Sequence, residues 1–435
     1  MKQKSIWNQS VNINKFPSLN QDLECEIVIV GGGLCGLLTA YYLSLEGKQV
    51  VVLEKDLIGK GKTSLSTAVI TLEHDILYST LIKKLGFNKA KTYLMANLSA
   101  IKEYKSLADL FDFDFEEKPN ILYSTKNVEM IEKEYRSLLR LGLETKLIDQ
   151  IELPFEIQKA LVINNQAMMN PMKLINNLSK RLTIYENSQV TKVYNDYLIC
   201  NNFKVKAKKI IITSHFPFIN KVGLYFAKMY QKKSFVIAIS NFDKLNATYS
   251  NLNDEDFYFR DYHGYLLIGG NDKRVGSEGV SFDNLVNFAK KKFPNCKVEY
   301  FWSNQDCVSL DQVPYIGRYS HFYSNVYVAT GFNLWGMTNS LISAKILTDL
   351  IMARHNPYYQ LYQPFGRLFK KQLLFNLGNF VKDLLVFKKP RCTHMGCALL
   401  FNEIEGVYEC SCHGTKYDKD GNIICSPGIK KLNHK

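Results

Sequence analysis

The sequence predicts an α/β protein in three parts: a parallel α/β domain, an antiparallel α+β domain inserted into it, and a small separate module at the C-terminus. Three observations predict this. A strand–glycine loop–helix–strand unit lies near the start, at 24–54. A buried strand and helix return at 326–352, after a middle that alternates like antiparallel strands. Four of the ten cysteines crowd into the 21 residues from Cys392 to Cys412. At roughly 150 residues per domain, 435 residues make two or three domains. With 46% hydrophobic and 22% charged residues, disorder, collagen and coiled coil are poor readings.

Residues 1–23 are polar and read as a loose N-terminal arm. They lack the apolar core of a secretory signal, so a cytoplasmic location is the expectation. Glu24–Val30 (ECEIVIV) is apolar and β-branched without alternation, which suits a parallel strand buried on both faces. Gly31-Gly32-Gly33-Leu34-Cys35-Gly36 opens a helix over Leu37–Leu45, stopped by Gly47. Gln49–Leu53 is a second buried strand, with Glu54 at its end. The uncharged run Ile27–Leu45 is long enough for a membrane helix, but the glycine triplet interrupts it. Residues 90–185 read as helical and charged, 186–215 as two or three strands ending in Ile210-Ile211-Ile212, and 233–270 as antiparallel strands. Val326–Ala329 is a further buried strand, followed by a glycine-containing loop and a helix from Thr338 to Met352.

In Gly31-x-Gly33-x-x-Gly36 the first glycine makes the tight turn, the second admits a pyrophosphate, and the third lets helix and strand pack closely. The helix N-terminus suits a diphosphate, and Glu54 is placed to accept hydrogen bonds from a ribose hydroxyl. The alternative is a tight turn with no ligand. The stretch VIVGGGLCGLLTAYYLSLEGKQVVVLEKDLIGKGKTSLSTA resembles the glycine and D-amino-acid oxidase-like flavoenzymes. Asp311-Gln-Val-Pro314-Tyr-Ile-Gly317-Arg318 and Ala329–Thr338 look like that family's late flavin segments. The resemblance, over roughly 24–350, implies a Rossmann-like fold and FAD. It implies cofactor contacts at Gly31, Gly33, Gly36, Glu54, Lys55, Thr67 (within a flavin-lining stretch, Lys62–Ala68), Val190 near the adenine, and Gly331, Phe332, Trp335, Gly336, Met337 and Thr338 under the isoalloxazine. The FAD-binding part is then about 24–90, 186–217 and 300–352, and the substrate part about 91–185 and 218–299, within 24–363.

Cys392-Thr-His394-Met-Gly-Cys397 is followed by Cys410-Ser-Cys412-His413-Gly414-Thr415. Two cysteine–histidine pairs on two loops suit zinc in principle. The pattern also closely resembles the Rieske iron–sulfur fingerprint, over about 390–435, and that resemblance implies a small all-β domain there. That resemblance implies a [2Fe–2S] cluster with Cys392 and Cys410 as thiolate ligands and His394 and His413 as imidazole ligands. It implies a disulfide between Cys397 and Cys412, which burial has to protect in a reducing compartment. It implies hydroxyl donors at Thr415 and Tyr417 that raise the potential, and a proline loop at Ser426-Pro427-Gly428. The strands that ordinarily precede the first ligand loop are missing, so the cluster is expected to use the flavin domain as a wall. The other six cysteines read as ordinary thiols.

Net charge is +14, and 351–391 carries eight basic residues against Asp383. Within it, 364–389 reads as a basic amphipathic linker. Its bland reading is a connector packed on its own protein, and its sharper one a helix that docks on an acidic protein or a membrane surface.

These readings lead to a flavin oxidoreductase that oxidises a small amine or amino-acid-like substrate and passes electrons through the cluster to a one-electron acceptor, an acidic protein or a quinone, with no nucleic-acid partner. The alternative is a non-catalytic electron-transfer or sensor protein with the same two centres. A Rieske oxygenase would need an iron site of two histidines and a carboxylate, and no histidines outside the cluster form a close pair. Arg260, Tyr258 and His74 are the catalytic candidates, Arg260 for a substrate carboxylate. Lys228, His263 and Trp335 are further pocket candidates; for each the alternative is a structural side chain. His215 reads as a residue that turns the chain. Leu267 falls where relatives that react with oxygen carry a lysine, so slow oxygen reduction is expected.

Overall fold

A computed structural model describes residues 4–219, 222–252, 257–277, 282–367, 389–403 and 405–432, with a few isolated positions between 373 and 386. Two large sheets organise the chain. The first runs Tyr315–Ser320, Tyr323–Thr330, Phe203–Ile212, Leu23–Val30, Val50–Leu53, Thr183–Tyr185. Leu23–Val30 sits inside it, parallel to both neighbours. Being covered on both faces is what its unalternated apolar sequence requires. The helices Leu34–Leu45 and Gly336–Ile351 pack against one another on this domain, each with a long buried face.

The second sheet runs Lys297–Ser309, Met229–Ser240, Tyr265–Arg274, Phe257–Tyr262, Thr248–Asn251, Glu116–Ser124, Lys159–Met168, Val69–Ile70. It is antiparallel except where Thr248–Asn251 meets Glu116–Ser124. The region 90–185 is therefore not only helical: Glu116–Ser124, Lys146–Ile148 and Lys159–Met168 are strands. Charge disguises the first of them. Lys118 is buried within it, and its Nζ lies 2.6 Å from Asp261 of Phe257–Tyr262 in the same sheet.

The N-terminal arm is tied down rather than loose. A 3₁₀ turn over Ile6–Gln9 buries Trp7 completely, and its indole N–H donates to the Ser66 carbonyl at 2.7 Å.

The third sheet has four short strands, Leu399–Asn402, Val407–Cys410, Lys416–Tyr417 and Ile423–Cys425. Its core is small: Cys392, Cys397, Leu399, Cys410, Cys412, Tyr417 and Leu432. The amphipathic stretch 364–389 lies largely outside the described residues. At its start, Arg367 forms a buried bidentate pair with Asp311. Among the described residues no helix is long and apolar enough to cross a membrane.

Candidate active site and metal centre

The glycine loop is shaped by contacts that exclude side chains. Gly31 has φ +115°, and a Cβ there would lie 3.0 Å from the Thr213 carbonyl. A Cβ on Gly36 would lie 2.0 Å from the Gly31 oxygen. Here the missing Cβ brings strand, turn and helix into contact. The Glu54 carboxylate accepts from the N–H groups of Gly32 at 2.7 Å and Asp56 at 3.0 Å, and burial raises its pKa.

A cavity of about 670 Å³ begins at this loop. Gly31, Gly33, Glu54, Lys55, Thr67 and Val190 line it, as do Phe332, Trp335, Gly336, Met337, Tyr258 and Arg260. Gly36, Gly331 and Thr338 stand behind the lining, and so does His74. The His74 ring stacks on Trp335 at 4.7 Å, with Nδ1 2.7 Å from the Tyr93 hydroxyl and Nε2 3.0 Å from the Thr71 carbonyl oxygen. Burial pushes its pKa down to about 3, so it is neutral. The glycine cradle, the acid and the cavity running from them to Trp335 fit an extended dinucleotide such as FAD.

Arg260 is 1% exposed. Its Nη1 donates to the Thr67 and Ala68 carbonyls, while Nη2 has no hydrogen-bond partner among the described residues. The guanidinium lies over Trp7 at 5.2 Å and Tyr262 at 5.6 Å, and burial lowers its pKa to about 10. Tyr258 is seated by Gly269, where a Cβ would come within 2.1 Å of its ring. Lys228 is off the lining: it is buried, with Nζ 3.3 Å from the Pro364 carbonyl and 4.9 Å from the Tyr225 ring centre. The His263 side chain is mostly exposed, 3.5 Å from Asp114. Among the lining residues that sequence reasoning missed are Asp306 and Lys232. Burial pushes Asp306 up to about 6, although Lys62 opposes it. A polar side chain inside a strand was the only available signal.

In the C-terminal module the Cys392 and Cys410 thiols are in contact. The hydrogen bond from Cys410, against the opposing effect of burial, lowers Cys392 to about 6. The His394 and His413 rings lie 5.0 Å apart, nearly perpendicular. Burial pushes them down to about 3 and about 4, so both are neutral, the form that binds metal. The Tyr417 hydroxyl is 3.5 Å from Cys392 Sγ, and Thr415 Oγ1 accepts the Gly428 N–H at 3.0 Å, below the Ser426–Pro427 cis bond. Cys397 and Cys412 form a buried disulfide joining the two loops. Cys397, Cys412 and His413 also come within metal-ligand range of one another, but the two bonded sulfurs offer no thiolate. Two thiols and two neutral imidazoles on clasped loops fit a mixed sulfur–nitrogen [2Fe–2S] centre.

The two larger domains complete this module. Gln231 Nε2 donates to the His413 carbonyl at 2.7 Å, and His413 Nε2 lies 3.0 Å from the Phe226 carbonyl oxygen. The Phe216 ring is 5.3 Å from His413 and 6.0 Å from His394. Glu405 lies between Lys233 at 2.7 Å and Lys416 at 2.5 Å, and accepts from Ser303 Oγ at 2.7 Å. Gln305 donates to Glu409. The module in turn contributes Lys416, Ile424, Cys425, Ser426 and Ile429 to the cavity wall.

Comparison with known proteins agrees with this geometry. The FAD dependent oxidoreductase family matches residues 26–350, and the Rieske [2Fe-2S] domain matches 368–434, taking in part of the segment read as a linker. The chain belongs to the FAD-dependent oxidoreductases of the D-amino-acid oxidase type. Within that class it carries a C-terminal Rieske domain, and it binds FAD and a [2Fe–2S] cluster. It is 29% identical to a Bacillus subtilis (strain 168) protein named for a Rieske 2Fe-2S centre, YhfW, across 99% of this chain and 97% of the other. It is 22% identical to the gamma-glutamylputrescine oxidoreductase of Escherichia coli (strain K12), across 77% and 85%. The glycine oxidase of Geobacillus kaustophilus shares its fold, with a TM-score of 0.68 at 18% identity over 79% of this chain and 99% of that one.

Proposed function

We propose that the protein oxidises the C–N bond of a small amine or amino-acid-like substrate and delivers the electrons through its cluster to a one-electron acceptor, an acidic protein or a quinone. The observation that carries this reading is the shared chamber. One cavity is lined by the glycine loop, Trp335 and Arg260 and also by Lys416, Cys425 and Ser426 of the Rieske module. FAD supplies two-electron acceptance with release in single steps, and the cluster takes one electron at a time. Relatives named for glycine and gamma-glutamylputrescine support the substrate class. Arg260 is the proposed carboxylate ligand, because its planar fork belongs to the cavity lining and its buried Nη2 has no hydrogen-bond partner among the described residues. Tyr258 lines the wall two residues away on the same strand. The proposed part of His74 is to seat the Trp335 ring.

Anaerobic mixing of the holoenzyme with a panel of amines and amino acids tests this. Bleaching of the flavin should be followed, in the same sample, by the EPR signal of the reduced cluster. A flavin that no substrate bleaches would favour the electron-carrier alternative. Oxygen gives a second test. Leu267 is completely buried and pairs with Ala238 and Arg260, so its position holds no lysine. Stopped-flow mixing of reduced enzyme with oxygen should show slow reoxidation.

A further inference from the structure

We propose that the dipeptide His215-Phe216 is the internal electron bridge, with His215 facing the bound FAD and Phe216 handing electrons to the histidine-ligated side of the cluster. This rests on the reading above that electrons leave the flavin through the cluster. Three observations carry it. First, His215 lines the cavity, and its carbonyl accepts the hydroxyl of Thr330, the residue before Gly331 in the expected flavin loop. Its Nε2 is buried with no hydrogen-bond partner among the described residues. Second, Phe216 is fully buried, and its ring packs on both imidazole ligands. Third, His215 has φ 60°, a left-handed conformation that is uncommon for a side chain larger than glycine. That turn comes directly after the central strand Phe203–Ile212 and Thr213-Ser214, and consecutive side chains then serve two different sites.

The electron balance is simple. Two electrons leave the reduced flavin one at a time. Each lowers the cluster by one oxidation step, and each is taken by one molecule of a one-electron oxidant. The proton released from the flavin goes to solvent. Tunnelling is faster through packed atoms than across a gap, and Phe216, next in the chain to the cavity-lining His215, packs against the two rings.

The test needs no substrate. Holoenzyme reduced with dithionite is mixed with ferricyanide in a stopped-flow instrument, and recovery of the flavin absorbance is followed. The cluster-free Cys392→Ser chain gives the rate of direct flavin oxidation. Phe216→Ala opens a gap, Phe216→Leu fills most of it without the ring, and His215→Asn keeps a residue that tolerates the left-handed backbone. FAD content and the EPR spectrum confirm that each variant is loaded. The bridge predicts that wild type recovers faster than the cluster-free chain. It also predicts that Phe216→Ala loses this fast phase and Phe216→Leu and His215→Asn slow it. A fast phase of wild-type rate in loaded Phe216→Ala, or in loaded Phe216→Leu should the alanine variant not fold, would overturn it. Failure to find an oxidisable amine would remove the proposed substrate class and leave this measurement intact.

Discussion

The glycine loop and the Rieske module are both held tightly, but by different physics. At Gly31 and Gly36 main chain meets main chain, and a single added methyl has no room. At the module, two lysines and two glutamates, all nearly buried, face one another across the junction: Lys233 from the second sheet, and Glu405, Glu409 and Lys416 from the module. Steric fit is indifferent to pH, whereas a buried charge lattice is not. Such a lattice adds little net stability when complete and is costly to leave half-made.

The largest effect should come from unbalancing that lattice. Glu405→Gln leaves Lys233 and Lys416 with Glu409 alone, and by analogy with broken buried pairs should cost about 3–5 kcal/mol. In a denaturant titration the cluster absorbance should be lost well before the flavin is released. Loss of both together would show that the two regions share one cooperative unit.

Acid should produce a related effect without mutation. Burial alone would raise the Glu405 carboxyl, but Lys416 and Lys233 override it and hold it at about 2, below its ordinary 4.5. A depressed carboxyl stabilises the fold above its ordinary value and loses that contribution as pH falls through the folded one, here about 3 kcal/mol between pH ~4.5 and ~2. Glu54 has the opposite sign, because burial raises its carboxyl, so acid does not weaken the glycine loop through it. On acid titration Glu54 should therefore protonate first without weakening the loop, and cluster release should follow at lower pH, as Glu405 titrates.

Gly36→Ala tests the steric half. With a Cβ 2.0 Å from a backbone oxygen, strand and helix must part, for about 3 kcal/mol, toward the upper end of overpacking costs. Purified variant should carry less FAD and melt lower, with the same deficit at every pH. The smallest effect is expected at Tyr417→Phe. Removing the hydroxyl takes away its one hydrogen bond to the Cys392 sulfur, along with its contacts to the Thr393 N–H and Oγ1, and should lower the cluster potential by roughly 50 mV in a spectroelectrochemical titration.

What could be read from the sequence follows the same division. The strand–Gly-x-Gly-x-x-Gly–helix unit and the cysteine–histidine loops are local patterns whose spacing carries the chemistry, and the expected cofactor residues from Gly31 to Met337 line or back one chamber. Residues whose role is set by distant partners were hidden. Gln231, Lys233, Ser303 and Gln305 look like a solvated strand face, yet each meets the C-terminal module. Trp7 sits in a polar arm, and only its packing beneath Arg260 and its bond to Ser66 reveal why it is there. Lys118 made a strand look like a charged helix because its partner, Asp261, lies 143 positions away.

The rim formed by Lys416, Cys425 and Ser426 has a consequence for biogenesis. Those residues are made after the flavin domain, so the chamber around the flavin has an open side until the module's strands fold. Insertion of the dinucleotide through that side is easiest before the iron–sulfur part settles, which gives maturation a direction. A chain that acquired its cluster first would have shut one door on its other cofactor.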